Sequence, residues 1–167
     1  MTMTLFPADI TELAERVVAH CKERGIRVAL AESCTGGLVA GALTEVPGSS
    51  DVLDRGYVVY SNEAKIKTLG VGSDIIDTFG AVSEAVAWAM AKGALEKSGA
   101  DVAVAITGIA GPGGATQGKP VGLVVFAIAH KGASSDTYPY DKREFGDLGR
   151  TEIRLQAVRV ALDLLLG

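Results

Sequence analysis

The sequence predicts an α/β fold: a three-layer α/β/α sandwich on a mixed, mostly parallel sheet. Three observations predict it. Helical stretches alternate with short apolar runs through the first two-thirds of the chain, as when parallel strands are joined by helices. Two apolar runs, "DVAVAITGI" (101–109) and "VGLVVFAIAH" (121–130), then follow each other with no helix between them, so the sheet is mixed. No internal repeat, low-complexity stretch or linker interrupts the pattern, so residues 1–167 are expected to form one domain.

"FPADITELAERVVAHCKERG" (6–25) reads as the first helix. Pro7 suits its first turn, Asp9 and Glu12 favour its positive end, and Gly25 can stop it. Ile10, Leu13, Val17 and Cys21 recur on one face, which makes Cys21 core and leaves His20 on the surface. "RVALAES" (27–33) is a strand that leads into the small-residue helix "TGGLVAGALTEV" (35–46). "RGYVVYS" (55–61) is the second strand, and "NEAKIKTLG" (62–70) a short helix stopped by Gly70. A turn rich in Gly, Ser and Asp follows. Ser83 can cap the helix of 82–99, which points Val86, Met90 and Leu95 inward. Continuous apolar character marks 101–109 as a central strand. Pro139 assigns "SDTYPYDKRE" (135–144) to a sheet edge. The last helix, 147–166, carries Ile153, Ala157, Ala161 and Leu164 on one stripe.

Composition narrows the function. The chain has 167 residues, 48% hydrophobic and 22% charged, the balance of a globular protein rather than a disordered one. A formal net charge of −4 gives no ground for expecting a nucleic-acid or anionic-membrane partner. The N-terminus lacks a basic segment followed by an apolar one, and the longest apolar run, 121–129, suits a buried strand rather than a membrane span. Two cysteines, Cys21 and Cys34, are too few for a disulfide framework or a zinc site, so a reduced, cytoplasmic protein is expected.

Chemistry concentrates in "AESCTGG" (31–37). Ser33 lies where a strand ends and a helix begins, the place where open α/β sheets bind ligands. A serine nucleophile needs nearby N–H donors for the oxyanion it creates, and Gly36 and Gly37 let backbone come close. The competing reading is a plain helix cap by Ser33 or Thr35. Cys34 is a rival nucleophile, because a thiolate at a helix N-terminus would be stabilised. A Ser–His–Asp arrangement needs a histidine, yet His20 and His130 are remote from the glycine-rich segments in sequence. A buried lysine can serve instead, since burial disfavours its charged form.

"YSNEAK" (60–65) supplies one. With Ser61 as N-cap, Tyr60 becomes N′ and Lys65 N4, positions that tend to lie against each other. The bland alternative is a packed tyrosine and a solvated lysine. "TGIAGPGG" (107–114) is neither a Walker A motif nor a dinucleotide fingerprint, because a strand and not a helix follows it. Its amides, including those near Thr107, Gly108 and Gly111, can hold an anion or simply turn the chain. Arg143, Arg150 and Arg154 are candidate phosphate partners or solvated helix charges. Asp51, Asp54 and Glu63 match no metal-ligand spacing, so no metal and no cofactor are expected.

These motifs carry a resemblance. "AESCTGG", "GSSDVLDRGYVVYSNEAKIKTLGV", "GAVSEAVAWAMAKGAL" and "AITGIAGPGG" followed by "KPVGLV" resemble, in that order, the C-terminal domain of the CinA (competence/damage-inducible) family. The likeness runs from about residue 8 to 166. Enzymes of that family are nicotinamide-nucleotide amidases. The resemblance implies metal-independent hydrolysis of nicotinamide mononucleotide to nicotinate mononucleotide and ammonia, in an α/β/α sandwich that is usually a homodimer. Larger members carry a further N-terminal domain. The family's serine falls on Ser33, and its tyrosine and lysine fall on Tyr60 and Lys65, so Ser33 is the expected nucleophile and Lys65 its base, taking the serine proton directly or through Tyr60. Thr35, Gly36, Gly37, Asn62, Thr107, Gly108 and Gly111 are the expected substrate-binding positions around them.

Overall fold

The computed structural model describes residues 2–134 and 139–167. Six helices and five strands follow one another as α1 (Ala8–Arg24), β1 (Val28–Glu32), α2 (Leu38–Thr44), β2 (Leu53–Val58), α3 (Asn62–Leu69), α4 (Ser73–Phe79), α5 (Glu84–Glu96), β3 (Val102–Gly108), β4 (Leu123–His130), β5 (Tyr140–Glu144) and α6 (Arg150–Leu164). The strand order is β2-β1-β3-β4-β5. β1 pairs parallel with β2 and β3, and β4 pairs antiparallel with β3 and β5. Four strands therefore point one way and β4 alone runs against them, the mixed sheet expected where two strands follow without a helix.

The sheet separates two apolar layers. On one face Val28, Leu30, Val104, Ile106 and Phe126 pack with α1, α2 and α6. On the other, cross-strand pairing aligns Ala29–Ala103–Ala129 and Ala31–Ala105–Ala127 as two rows of alanines. Such a shallow surface lets α5, with Ala87, Met90, Ala91 and Ala94 facing it, lie close to the strands.

Local signals account for most boundaries. Gly25 ends α1 with a left-handed φ of 64°, and its amide returns to Cys21 O and Lys22 O. Ser61 caps α3 by accepting from Ala64 N at 3.0 Å, and Ser83 caps α5 by accepting from Val86 N at 3.3 Å. Cys21 is fully buried, and Val86 and Met90 face the core. Leu13, Leu95 and Leu164 are only partly buried. β5 is an edge strand preceded by Pro139, whose carbonyl accepts from Ile128 N. The start of the expected edge strand, 135–138, lies outside the described residues.

Two elements differ from the sequence expectation. The turn after Gly70 contains α4, whose N-cap Gly72 has no capping side chain, so it carried no start signal. The helix expected over 35–46 begins only at Leu38, because residues 34–37 form a turn with Gly36 and Gly37 at φ 57° and 101°. Among the described residues no helix is long and apolar enough to cross a membrane.

Candidate active site

The three parallel strands β1, β2 and β3 end together, and the candidate site lies beyond their C-terminal ends. Ser33 follows β1 directly, and its amide donates to Ile106 O of β3 at 3.0 Å. Glu32, the last residue of β1, is fully buried on the other side of the pleat. Its carboxylate reaches the start of α2 and accepts from Val39 N at 2.9 Å and Ala40 N at 3.1 Å. This strand carboxylate therefore caps a helix whose own N-cap, Gly37, has no side chain. It also occupies the amides that a helix N-terminus would have offered to a substrate.

The N-cap geometry of "YSNEAK" is observed. Lys65 lies one turn into α3 and, with Leu69, faces inward. It is 1% exposed. Its Nζ donates to Ser33 Oγ at 3.0 Å and to the Tyr60 main-chain carbonyl at 3.0 Å. Ser33 Oγ lies 3.5 Å from that same carbonyl. Burial lowers the Lys65 pKa below its usual value, with the nearby Cys34 acting weakly in the opposite direction. A lysine so placed is poised to lose its proton more readily than a solvated one.

Tyr60 meets Lys65 through its backbone, while its phenol turns outward. The phenol oxygen accepts from Arg150 Nη2 at 2.9 Å. Arg150, the first residue of α6, also donates through Nη1 to Gly111 O at 2.7 Å. One turn on, Arg154 donates to Cys34 O at 3.0 Å and Thr35 O at 3.3 Å, bracing the turn that follows Ser33. The amides of Cys34 and Thr35 have no main-chain acceptor among the described residues.

Ser33, Cys34, Tyr60, Asn62, Lys65, Thr107, Gly108 and Arg150 line one cavity of about 170 Å³, together with Ala81, Val82 and Ala110. Thr107 fixes one wall, its hydroxyl donating to Ala81 O at 2.8 Å. Thr35, Gly36, Gly37 and Gly111 do not line the cavity. Gly36 lies against Arg154, where a Cβ would come 3.3 Å from Nη2, and Gly37 lies against Val58. Thr35 is fully buried and its hydroxyl has no hydrogen-bond partner among the described residues. These residues shape the turn rather than the cavity wall.

Cys34 touches the site but as a thiol. Burial, aided by the Glu32 carboxylate, pushes its pKa up to about 12, so it carries no thiolate near neutral pH. Neither histidine lines this cavity. Asp51, Asp54 and Glu63 are apart, held in ion pairs by Lys22, by Arg55 and Arg27, and by Lys67. Arg143 is held by Asp141. Of the three arginines considered from sequence, Arg150 reaches the cavity, Arg154 supports it and Arg143 does neither. Arg150 and Arg154 lie one turn apart at the start of α6 while Arg143 lies on the edge strand β5, and which of them meets the cavity is a tertiary property.

Comparison with known proteins places the chain. The model of the CinA C-terminal domain matches residues 10–167. A CinA-like protein of Akkermansia muciniphila is 51% identical over 145 residues, covering 84% of this chain and 35% of that protein. The chain thus spans about a third of the length of the curated relatives it matches, from 30% to 38%. The crystal structure of the competence/damage inducible protein CihA from Agrobacterium tumefaciens superposes with a TM-score of 0.94 at 54% identity, covering 98% of both chains. A CinA superfamily protein from Escherichia coli superposes with a TM-score of 0.88 at 34% identity, covering 99% of this chain and 94% of that one. By sequence along nearly its whole length and by fold, the chain belongs to the CinA C-terminal domain family.

Proposed function

We propose that the chain is an amidohydrolase that converts nicotinamide mononucleotide to nicotinate mononucleotide and ammonia. Ser33 is the nucleophile and Lys65 its base. One observation carries this reading: Lys65 Nζ, buried and with a lowered pKa, stands 3.0 Å from Ser33 Oγ in a cavity without histidine. The carboxamide substrate itself comes from the family resemblance.

In this mechanism neutral Lys65 takes the proton of Ser33 as Oγ attacks the carboxamide carbon. The carbonyl electrons move to oxygen, and Cys34, the residue of the following turn that lines the cavity, offers its amide to that oxyanion. Collapse breaks the C–N bond, and the protonated Lys65 returns its proton to the departing ammonia. Lys65 then deprotonates a water that attacks the acyl-serine, releasing the carboxylate and restoring Ser33. The pyridinium charge of the substrate withdraws electrons from the amide and so assists attack. Proton transfer runs directly between Nζ and Oγ, which lie 3.0 Å apart, while Tyr60 meets both groups through its main-chain carbonyl.

The test is ammonia release from nicotinamide mononucleotide by wild type and Ser33→Ala. Loss of a nucleophile is expected to lower turnover by about 10³-fold or more. Full activity in Ser33→Ala removes the nucleophile. A wild type silent on this nucleotide but active on another carboxamide moves the substrate. Silence on a panel of amides, with nucleotide still bound, makes the domain a non-catalytic nucleotide-binding module.

A further inference from the structure

We propose that Arg150 recognises the phosphomonoester of the substrate, at the rim of the Ser33 cavity, by exchanging two neutral hydrogen-bond partners for the anion. This rests on the reading above that the substrate is a nucleotide bearing a carboxamide.

Size comes first. The cavity, at about 170 Å³, is well below the roughly 300–1,000 Å³ of pockets that enclose a drug-sized ligand. It has room for an aromatic ring with its carboxamide, but not for ribose and phosphate as well. Exposure gives the direction in which the remainder must leave. Lys65 and Thr107 are 1% exposed and Ser33 7%, whereas Tyr60 is 60% exposed. The reacting group therefore sits at the Ser33–Lys65 floor, and the rest of the substrate passes Tyr60 and Arg150.

Charge comes second. Among the described residues no carboxylate lines the cavity, and its cations are Lys65 and Arg150. Lys65 is committed to Ser33 and to the Tyr60 carbonyl. Arg150 has no carboxylate partner among the described residues, unlike Arg24, Arg27, Arg55, Arg143 and Arg159. Its two described bonds go to a phenol oxygen and a main-chain carbonyl. Arg154 also lacks a carboxylate, but its guanidinium is spent on the carbonyls of Cys34 and Thr35 and does not line the cavity.

Donor geometry comes third. A guanidinium has five N–H donors in a fixed fork, and two are engaged here. A phosphomonoester offers charged oxygens that form shorter and stronger bonds than a phenol or a carbonyl. It can use the free donors first and then displace Tyr60 or Gly111. Arg150 also stands at the first position of α6, where the positive helix end favours an anion. The neutral partners thus hold the fork in place across the rim without neutralising it.

The test compares kcat/KM for nicotinamide mononucleotide and for nicotinamide riboside, which lacks the phosphate, in wild type, Arg150→Met and Arg150→Lys. Binding of ribose 5-phosphate is measured by calorimetry alongside. Arg150→Met is expected to cut the nucleotide-to-nucleoside ratio by about 10- to 100-fold, with a matching loss of ribose 5-phosphate affinity. Arg150→Lys recovers part of both, because a lysine supplies the charge without the fork. An unchanged ratio, or both substrates falling together with phosphate binding intact, overturns the proposal. If neither substrate is hydrolysed, the amidase reading fails and the calorimetry still decides: binding that depends on Arg150 upholds the anion site, and absent or Arg150-independent binding overturns it.

Discussion

Gly93 of α5 rests against the main-chain carbonyl of Leu69, the last residue of α3, so closely that a Cβ on Gly93 would lie 2.1 Å from that oxygen. The contact sets how near α3 can come to the sheet, and α3 carries Lys65. Gly93→Ala is therefore expected to force the two helices apart, at a cost of about 1–3 kcal/mol. Chemical denaturation measures that loss. Turnover should fall further than stability alone explains, because the shift moves Nζ away from Ser33 Oγ. A Gly93→Ala protein of wild-type stability would mean that α3 adjusts freely.

Lys65 couples activity to instability. Its folded pKa is lowered from 10.5 by burial, so the folded chain binds its proton less readily than the unfolded chain. Stability from this group must therefore rise with pH between the lowered value and 10.5, and the burdened side is the acidic one. Lys65→Met removes the buried amine, and it should gain about 1 kcal/mol near neutral pH while losing turnover. Its denaturation midpoint should lack the alkaline rise of the wild type. A lower midpoint in Lys65→Met would show that the amine stabilises the fold.

The same residue sets the pH–rate profile. Turnover by wild type should increase with pH along a limb whose apparent pKa lies below 10.5, as Lys65 becomes neutral. Initial rates of ammonia release across a buffer series give this directly. A flat profile through that range would exclude Lys65 as the base.

Cys34 should behave as an inert thiol. It is 5% exposed and its pKa is pushed up to about 12, so alkylation by iodoacetamide at pH 8 should be slow in the folded chain and fast in guanidinium. Cys34→Ala should leave the rate of ammonia release nearly unchanged. Rapid labelling of Cys34 coupled to loss of activity would reopen the thiol as nucleophile.

Glu32 should be worth more than its net charge suggests. Glu32→Ala leaves the amides of Val39 and Ala40 without their acceptor, at about 1–3 kcal/mol for each buried group. Glu32→Gln keeps one acceptor and should lose roughly half as much. Denaturation curves of the two variants provide the comparison, and equal stability of Glu32→Ala and wild type would show that water replaces the carboxylate.

The sequence was most readable where a few neighbouring residues decide the outcome. Ser61 as N-cap put Tyr60 and Lys65 in register because capping is local, and the strand-end position of Ser33 followed from the alternation of elements. What Lys65 does was less readable. Its burial depends on Ser33, Ala81, Val82 and Thr107, which are distant in sequence, and the Tyr60 phenol is met by Arg150 from 90 residues away. Glu32 looked like one more strand residue, since nothing local shows that its side chain turns back to α2. The turn of 34–37 was hidden by small residues that suit a helix equally well, until Gly36 and Gly37 took positive φ. α4 was missed because it is one short helix between glycines with no capping side chain.

The two rows of alanine beneath α5 bear on how the site keeps its shape. Alanine has no side-chain rotamers to lose on folding and none to exchange afterwards. The layer between sheet and α5 is thus assembled at little side-chain entropy cost, and it contains few groups able to hop between conformations. α3, which carries Lys65, packs through Leu69 against Gly93 of α5 and so rests on a helix seated on that layer. The Lys65 amine is thus placed beside Ser33 by a helix with a rigid support as well as by the hydrogen bonds it makes.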